Sequence, residues 1–161
     1  MRRTILAALL VAALGSGASL AGAQIMRPPP PRGVPPPPVT IEAVQAQFVA
    51  RSGSDTVYFA GVGHGLDAAA RATLSAQAAW LLANPAFRAR IEGHADEHAP
   101  RDYALAIGER RATAVRDFLI LQGVPAAQLT IISWGKERPA VGGTTPMALA
   151  LNRRARTVLV P

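Results

Sequence analysis

The sequence contains no cysteine among its 161 residues. No disulfide framework can therefore form, so the stability of an exported form must come from the hydrophobic core. No thiolate is available as a zinc ligand, and no thiol is available to accept a lipid anchor. No internal repeat is visible either.

The sequence also lacks an apolar run long enough to span a membrane comfortably. The short apolar run at residues 5–14 follows two arginines and precedes the small residues 20–23, a pattern typical of a cleavable signal peptide over residues 1–23. The pattern predicts export, and cleavage would make Gln24 the first mature residue. Residues 20–23 have the shape of a lipoprotein signal with alanine in place of cysteine. We therefore expect no lipid anchor; the alternative is an uncleaved signal that holds the chain in the inner membrane.

Acidic residues are scarce. The chain has 17 basic and 10 acidic residues, a net charge of +7 that falls to +5 when the two arginines of the signal are removed. Such an excess suits a protein near an anionic polymer: cell wall, lipid headgroups or nucleic acid. An exported chain does not meet nucleic acid, so the wall or the membrane surface is favoured. The alternative is a basic composition without a dedicated partner.

Proline is concentrated in one segment. Residues 28–38 read PPPPRGVPPPP, which favours polyproline II and excludes helix. At about 3.1 Å per residue the segment would span on the order of 35 Å as a spacer, or form a disordered tail. A short amphipathic helix is predicted at residues 41–49. Residues 24–54 thus form a linker with a helical lead-in, and residues 55–161 form the domain.

The domain has the pattern of an α/β protein. β-rich segments predict four strands, and two longer segments with helical spacing predict helices, the first with Asp67 as its N-cap and the second followed by Gly123. A short connection near residues 147–151 joins the last two strands. The strand–helix–strand–helix–strand–strand order predicts a two-layer sandwich. The predicted strands cover residues 55–59, 88–92, 129–134 and 156–160, and the helices residues 66–84 and 101–122.

One pair of charged residues stands out. On a helical period Arg111 shares its face with Ile107, Val115 and Phe118, the face that should pack inward. A buried guanidinium needs a partner, and Asp96, at the end of the preceding strand, can reach it. A carboxylate and a guanidinium in one cleft suit a ligand that carries both an ammonium and a carboxylate. The alternative is a structural ion pair that fixes the helix to the strand.

Other polar residues have the chemistry of metal or catalytic sites. His94, Asp96 and His98 alternate, and with His64 they have the residue types of a zinc site, but a histidine hydrogen-bonded at a strand end is the better interpretation. Nothing in the sequence brings Ser133 to a histidine or supplies an oxyanion hole. We therefore expect no metal, no cofactor and no enzymatic activity.

A second basic pair lies near the C-terminus. Arg153 and Arg154 have the charge to contact an acidic partner or to pair with Glu109. A solvated charged face is the default expectation for them.

Several motifs in register from about Asp55 to Val160 resemble those of the OmpA-like peptidoglycan-binding domain, and within that family most closely the group of peptidoglycan-associated lipoproteins. The resemblance implies an α+β sandwich with a mixed four-stranded sheet, no catalysis, and a place in the periplasm at the cell wall or outer membrane of the cell envelope. The motifs are Gly93-His94-Ala95-Asp96-Glu97, Tyr103, Leu105, Gly108-Glu109-Arg110-Arg111-Ala112, Val115-Arg116-Asp117, Gly123-Val124, Gly135-Lys136-Glu137-Arg138-Pro139 and Asn152-Arg153-Arg154.

The resemblance also implies a ligand. In that family the acid of the Gly-His-x-Asp motif binds the ammonium of diaminopimelate in the peptide stem of peptidoglycan, and the arginine binds a carboxylate of the same residue. Those roles fall on Asp96 and Arg111. A periplasmic β-propeller protein of the Tol system is the implied protein partner. The alternative function is an envelope protein-interaction module that has lost peptidoglycan binding.

The chain departs from the family pattern around the pocket. Residues 60–65 read AGVGHG where the family has Asp-Phe-Asp or similar, Ala99 replaces a glycine, and Ala104 replaces an asparagine. Three glycines raise the entropic cost of ordering the first segment. A less preorganised pocket would weaken binding by roughly a few kcal/mol.

Overall fold

Four α-helices and four strands alternate along residues 40–161, the part of the chain that the structure, a computed structural model, describes. The predicted signal peptide and proline-rich spacer lie outside these residues. None of the helices within residues 40–161 is long and apolar enough to cross a bilayer. The elements are α1 Ile41–Ser52, β1 Thr56–Tyr58, α2 Ala68–Ala83, β2 Arg88–His94, α3 Arg101–Leu121, a one-turn 3-10 helix Ala126–Gln128, β3 Leu129–Gly135, α4 Pro146–Asn152 and β4 Arg154–Val160.

The strands form one mixed sheet in the order β1-β4-β2-β3. β4 is antiparallel to both β1 and β2, whereas β2 and β3 are parallel and joined through α3. Alternate residues of the strands enter one hydrophobic core with apolar residues of α1, α2 and α3, so these helices cover one face of the sheet. The two-layer sandwich with a mixed four-stranded sheet is thus confirmed.

The helix boundaries follow local capping chemistry. The Asp67 carboxylate accepts a hydrogen bond of 2.7 Å from the Ala70 amide and begins α2, as the sequence predicts. After α3, Gly123 adopts φ +97°, a conformation that favours glycine, and its amide bonds to the Ile120 carbonyl.

The lead-in helix is part of the packed unit. α1 buries Val44 and Phe48 in the same core as the sheet, and the Phe48 ring meets Trp80 of α2 edge to face at 5.2 Å. Within residues 40–161, α1 belongs to the same compact unit as the sheet and the other helices. The helical lead-in of the predicted linker thus packs against α2 and the sheet, while the domain start at residue 55 stays a prediction.

The connection before the last strand is also more regular than predicted. Residues 146–152 form α4 rather than an irregular link. Thr145 caps it by accepting a hydrogen bond from the Ala148 amide, and Pro146 occupies its first turn, where a proline is tolerated.

Two glycines bring α3 close to the sheet. A Cβ atom added to Gly93 of β2 would lie 1.8 Å from the carbonyl oxygen of Gly108 on α3, and one added to Gly108 would lie 2.3 Å from the Ser133 hydroxyl. No side chain fits between these backbones. This contact fixes the distance between α3 and the end of β2, where the candidate site lies.

We predict that Gly93→Ala lowers the free energy of unfolding by about 1–3 kcal/mol or more, because the methyl group must displace the helix backbone. Urea denaturation of the full chain measures this. Gly142→Ala is the matched control, since a Cβ there meets nothing within 4 Å. Equal stability of the two variants would contradict the close approach.

Candidate functional site

A pocket of about 310 Å³ opens at the carboxyl end of β2, between the first turns of α3 and the β1–α2 loop. Its floor is charged and its walls are largely apolar. Both residues singled out as a ligand pair, Asp96 and Arg111, line it. The lining residues are Gly61, Val62, Ala95, Asp96, His98, Ala99, Pro100, Tyr103, Ile107 and Arg111.

Arg111 is held by three backbone carbonyls. Its side chain is among the most buried of the described residues, at 1 % exposure. Nε donates to the Gly63 carbonyl (3.0 Å), Nη1 to the His94 carbonyl (2.7 Å) and Nη2 to the Gly61 carbonyl (2.6 Å). The guanidinium carbon also lies 5.3 Å from the centre of the Phe59 ring. One side chain thus joins α3, the end of β2 and the β1–α2 loop.

Burial lowers the pKa of Arg111 to about 10, a net shift that the charge of Asp96 opposes and the charge of Arg153 assists. The side chain is therefore a cation at neutral pH. A guanidinium has five N–H groups, and the three carbonyls use three of them. Two N–H groups have no partner within residues 40–161.

Asp96 makes its ion pair with a different residue. Its Oδ2 lies 3.1 Å from Nη1 of Arg153, and its Oδ1 accepts a hydrogen bond of 3.2 Å from the His98 amide. Among the described residues, no ion pair joins Asp96 directly to Arg111. The structural pair weighed for Asp96 and Arg111 is therefore wrong, because the carbonyls already supply the partners that the buried guanidinium needs.

Arg153 is the residue of the site that the sequence did not predict. It lies beside Asp96 rather than in solvent or beside Glu109, and its Nε also donates to the Phe59 carbonyl at 3.4 Å. The Asn152-Arg153-Arg154 motif was a signal for it. Arg153 and Asp96 are 57 residues apart in the sequence, so local spacing could not predict their ion pair.

The departures from the family pattern have structural consequences. The loop of residues 60–65 supplies the two carbonyls that accept from Arg111, and Gly61 adopts φ +50° there. Ala104 is fully buried against Ala95 and Ile107, which line the pocket, so an apolar contact stands where the family pattern has an asparagine. The Ala99 carbonyl accepts a hydrogen bond of 2.9 Å from the Lys136 ammonium, which fixes the turn before α3.

The His94 ring makes no hydrogen bond within residues 40–161, contrary to prediction, although the His94 carbonyl accepts one from Arg111. Its ring is 2 % exposed, and neither ring nitrogen has a partner within residues 40–161. Burial, and then the charge of Arg154, lowers the pKa of His94 to about 4. Nor do residues 40–161 bring together three side chains capable of holding a metal ion. Ser133 donates to the Leu105 carbonyl at 2.6 Å, a structural contact between β3 and α3.

Sequence comparison relates the chain to known proteins. The profile of the OmpA family matches residues 58–153. The peptidoglycan-associated lipoprotein of Agrobacterium fabrum is 44% identical over 115 residues, which cover 71% of this chain and 64% of that protein. The Brucella melitensis protein of the same name is 50% identical over 90 residues, 56% of this chain and 54% of that protein. The chain thus spans less than two thirds of the length of these relatives.

Comparison with solved structures gives the same family relationship as the sequence comparison. The crystal structure of the peptidoglycan-associated lipoprotein from Burkholderia pseudomallei superposes with a TM-score of 0.65 at 36% identity, covering 67% of this chain and 92% of that one. The C-terminal domain of Helicobacter pylori MotB has a TM-score of 0.62 at 17% identity, covering 66% and 84%, a likeness of fold alone. The resemblance predicted from the motifs is confirmed.

We predict a pH-dependent stability that depends on His94. In the unfolded chain its pKa rises to the ordinary value near 6.5, whereas the folded state holds it at about 4. As the pH falls from 6.5 towards 4, protons bind the unfolded state first, so stability falls by roughly 3 kcal/mol and levels off below. Urea denaturation at several pH values measures the loss.

His94→Leu should lack this fall, so the difference in stability between wild type and variant should change by roughly 3 kcal/mol between pH 6.5 and pH 4. His64→Leu, at an exposed position, is the control and should retain the full fall. The assignment is wrong if the His94→Leu curve runs parallel to that of the wild type through this window.

Proposed function

The chain belongs to the OmpA family, and from that membership we propose that it binds peptidoglycan in the periplasm by recognising diaminopimelate in the peptide stem. It is a non-catalytic module, as the sequence predicts. The pocket at the end of β2 is the proposed binding site, with Asp96 and Arg111 as the residues that contact the ligand.

The observation that carries the proposal is that Asp96 and Arg111 line one pocket without being bonded to each other. Asp96 is close enough to influence the pKa of Arg111, yet the two are too far apart for a salt bridge. A group with its own ammonium and carboxylate can therefore sit between them. The free end of the diaminopimelate side chain is such a group.

Each charge of the ligand then meets its complement. The ammonium donates to Asp96, whose carboxylate oxygens each accept one protein hydrogen bond and retain a second lone pair. The carboxylate accepts from the two unused N–H groups of Arg111. The apolar walls at Val62, Tyr103 and Ile107 suit the methylene groups that link this end to the peptide.

Charge-assisted hydrogen bonds of this kind contribute about 1.5–3 kcal/mol each. Arg153 reduces the net gain at Asp96, because its guanidinium already neutralises part of that charge at 3.1 Å. The preorganised partner is Arg111, whose position is fixed by three carbonyls. The Tol-system partner and the cleavable signal stay predictions.

We predict that Asp96→Asn reduces retention on purified diaminopimelate-type sacculi by about tenfold or more, because the ammonium loses its counter-charge. The amide oxygen still accepts from the His98 amide, so the turn should persist. Asp117→Asn, which removes the same charge from the exposed end of α3, should bind like the wild type. Equal retention of Asp96→Asn and wild type would refute the role of Asp96.

The role of Arg111 is best tested by changing the ligand, because truncating a side chain that satisfies three buried carbonyls should also unfold the site. We predict that a stem peptide with diaminopimelate binds about tenfold or more tightly than the same peptide with lysine. Lysine keeps the ammonium but lacks the carboxylate. Isothermal titration calorimetry decides, and equal affinities would exclude carboxylate recognition by Arg111.

We predict that ligand binding slows amide hydrogen exchange in the glycine-rich loop of residues 61–65. The carbonyls of Gly61 and Gly63 accept hydrogen bonds from Arg111 of α3. In the proposed complex the remaining N–H groups of Arg111 donate to the ligand, so the ligand is tied to the loop. Amides of residues 61–65 should gain hydrogen-exchange protection when the diaminopimelate stem peptide saturates the protein. Amides of residues 142–143, in a loop outside the pocket, are the internal control, and unchanged exchange at 61–65 would remove this wall from the site.

A further inference from the structure

The face of the sheet that the helices leave uncovered carries a concentration of arginine and aromatic side chains. Side chains alternate along a strand, so the neighbours of the core residues project to this second face. We call it the basic face and define it by the strand residues Tyr58, Arg90, Trp134, Arg154 and Arg156, together with Arg138 from the following loop.

Part of this charge is neutralised within the domain. Arg90 pairs with Glu92 at 2.9 Å, and Arg156 pairs with Asp55 at 2.9 Å. Both pairs are made by acids from the sheet or its immediate lead-in.

Arg138 and Arg154 keep their charge. Within residues 40–161 neither has a carboxylate at salt-bridge distance. The Arg138 guanidinium lies over the Trp134 ring, 3.5 Å from its centre, and the Arg154 guanidinium donates to the Arg138 carbonyl at 3.1 Å. Burial lowers the pKa of Arg154. Within residues 40–161 these two adjacent guanidiniums thus have no carboxylate at salt-bridge distance, although the charge of Glu92 opposes the lowering of the Arg154 pKa.

Polar atoms without partners lie at the same place. Both ring nitrogens of His94, Nε1 of Trp134 and Nη1 of Arg154 are buried and have no hydrogen-bond partner in the described part of the chain. The register brings them together, since His94 follows the Gly93–Ala155 pair and so lies across from Arg154. On its other side His94 pairs with Gly135, next to Trp134, at a β-bulge.

Buried polar groups in folded proteins nearly always have a partner, so a cluster of four without one calls for an explanation. Indole and guanidinium N–H groups are donors only, and here they lie beside Arg138, which no carboxylate reaches at salt-bridge distance within residues 40–161. The exposed Arg138 guanidinium and the half-buried Arg154 guanidinium beside this cluster suit an anion that accepts several hydrogen bonds, such as a carboxylate.

We propose that the basic face binds an acidic segment of a partner protein, with a carboxylate of that segment held by Arg138 and Arg154 beside the Trp134 indole. The composition of the face favours a protein. Tryptophan, tyrosine and arginine are the residues that dominate protein–protein hot spots, and half-buried Ile132 and Val158 add apolar surface on the same side of the sheet. This surface is separate from the pocket.

The test uses the indole N–H of Trp134 as a reporter. The chain has two tryptophans, and Trp80 lies in the helical layer against Phe48, so it is an internal control. The full ¹⁵N-labelled chain is titrated with a hexaglutamate peptide and followed by NMR. The expected result is a saturable shift of the Trp134 indole resonance while that of Trp80 stays in place.

Two variants distinguish binding at the basic face from attraction to the net charge of the protein. Arg138→Gln should weaken binding of hexaglutamate by about tenfold. Arg110→Gln is the matched control, because Arg110 is also exposed and has no salt bridge within residues 40–161, but lies on α3. It should leave the affinity unchanged. The backbone NMR spectrum of each variant checks that the fold is intact.

Three outcomes would overturn the proposal. The first is an unmoved Trp134 resonance at the highest peptide concentration. The second is equal weakening by Arg110→Gln, which would show attraction to net charge alone. The third is a Trp134 shift produced by inorganic phosphate or phosphatidylglycerol vesicles but not by the peptide, which would assign the face to phosphate ligands instead.

Discussion

The site depends on one buried cation and the three carbonyls that surround it. A guanidinium at 1 % exposure would be strongly destabilising without partners, and its lowered pKa of about 10 reflects the loss of water around it. Three charge-assisted hydrogen bonds offset this cost. Lysine has no planar fork with which to reach three carbonyls at once, so arginine is required by the backbone before any ligand is considered.

The glycines around the site follow from the same constraint. Gly93 and Gly108 allow α3 to approach β2 without intervening side chains, and Arg111, one turn further along α3, then reaches the carbonyl at the strand end. The β1–α2 loop contributes backbone atoms where the family pattern places charged and aromatic side chains. Preorganisation lost from side chains is thus partly recovered through carbonyls that Arg111 holds in place.

Local signals predicted the elements but not the long-range polar contacts. The cap at Asp67 and the helical period of α3 depend only on residues close together in the sequence, and the structure confirms both. The short α4 carried a capping Thr145 and a proline at its start, but it is too short for a clear period. The partner of Asp96 depends on where β4 inserts in the sheet, and the partners of Arg111 are backbone atoms that no side-chain pattern reveals.

His94 links the two surfaces of the domain. Its carbonyl accepts from Arg111 on the helical side, while its ring lies among the unpaired donors of the basic face. The pocket and the basic face therefore share one residue but use opposite sides of the sheet end. A ligand held at the pocket leaves the basic face open, because α3 and the β1–α2 loop stand on the other side. The proposed peptidoglycan ligand and the proposed acidic segment would therefore approach from opposite sides of the sheet end.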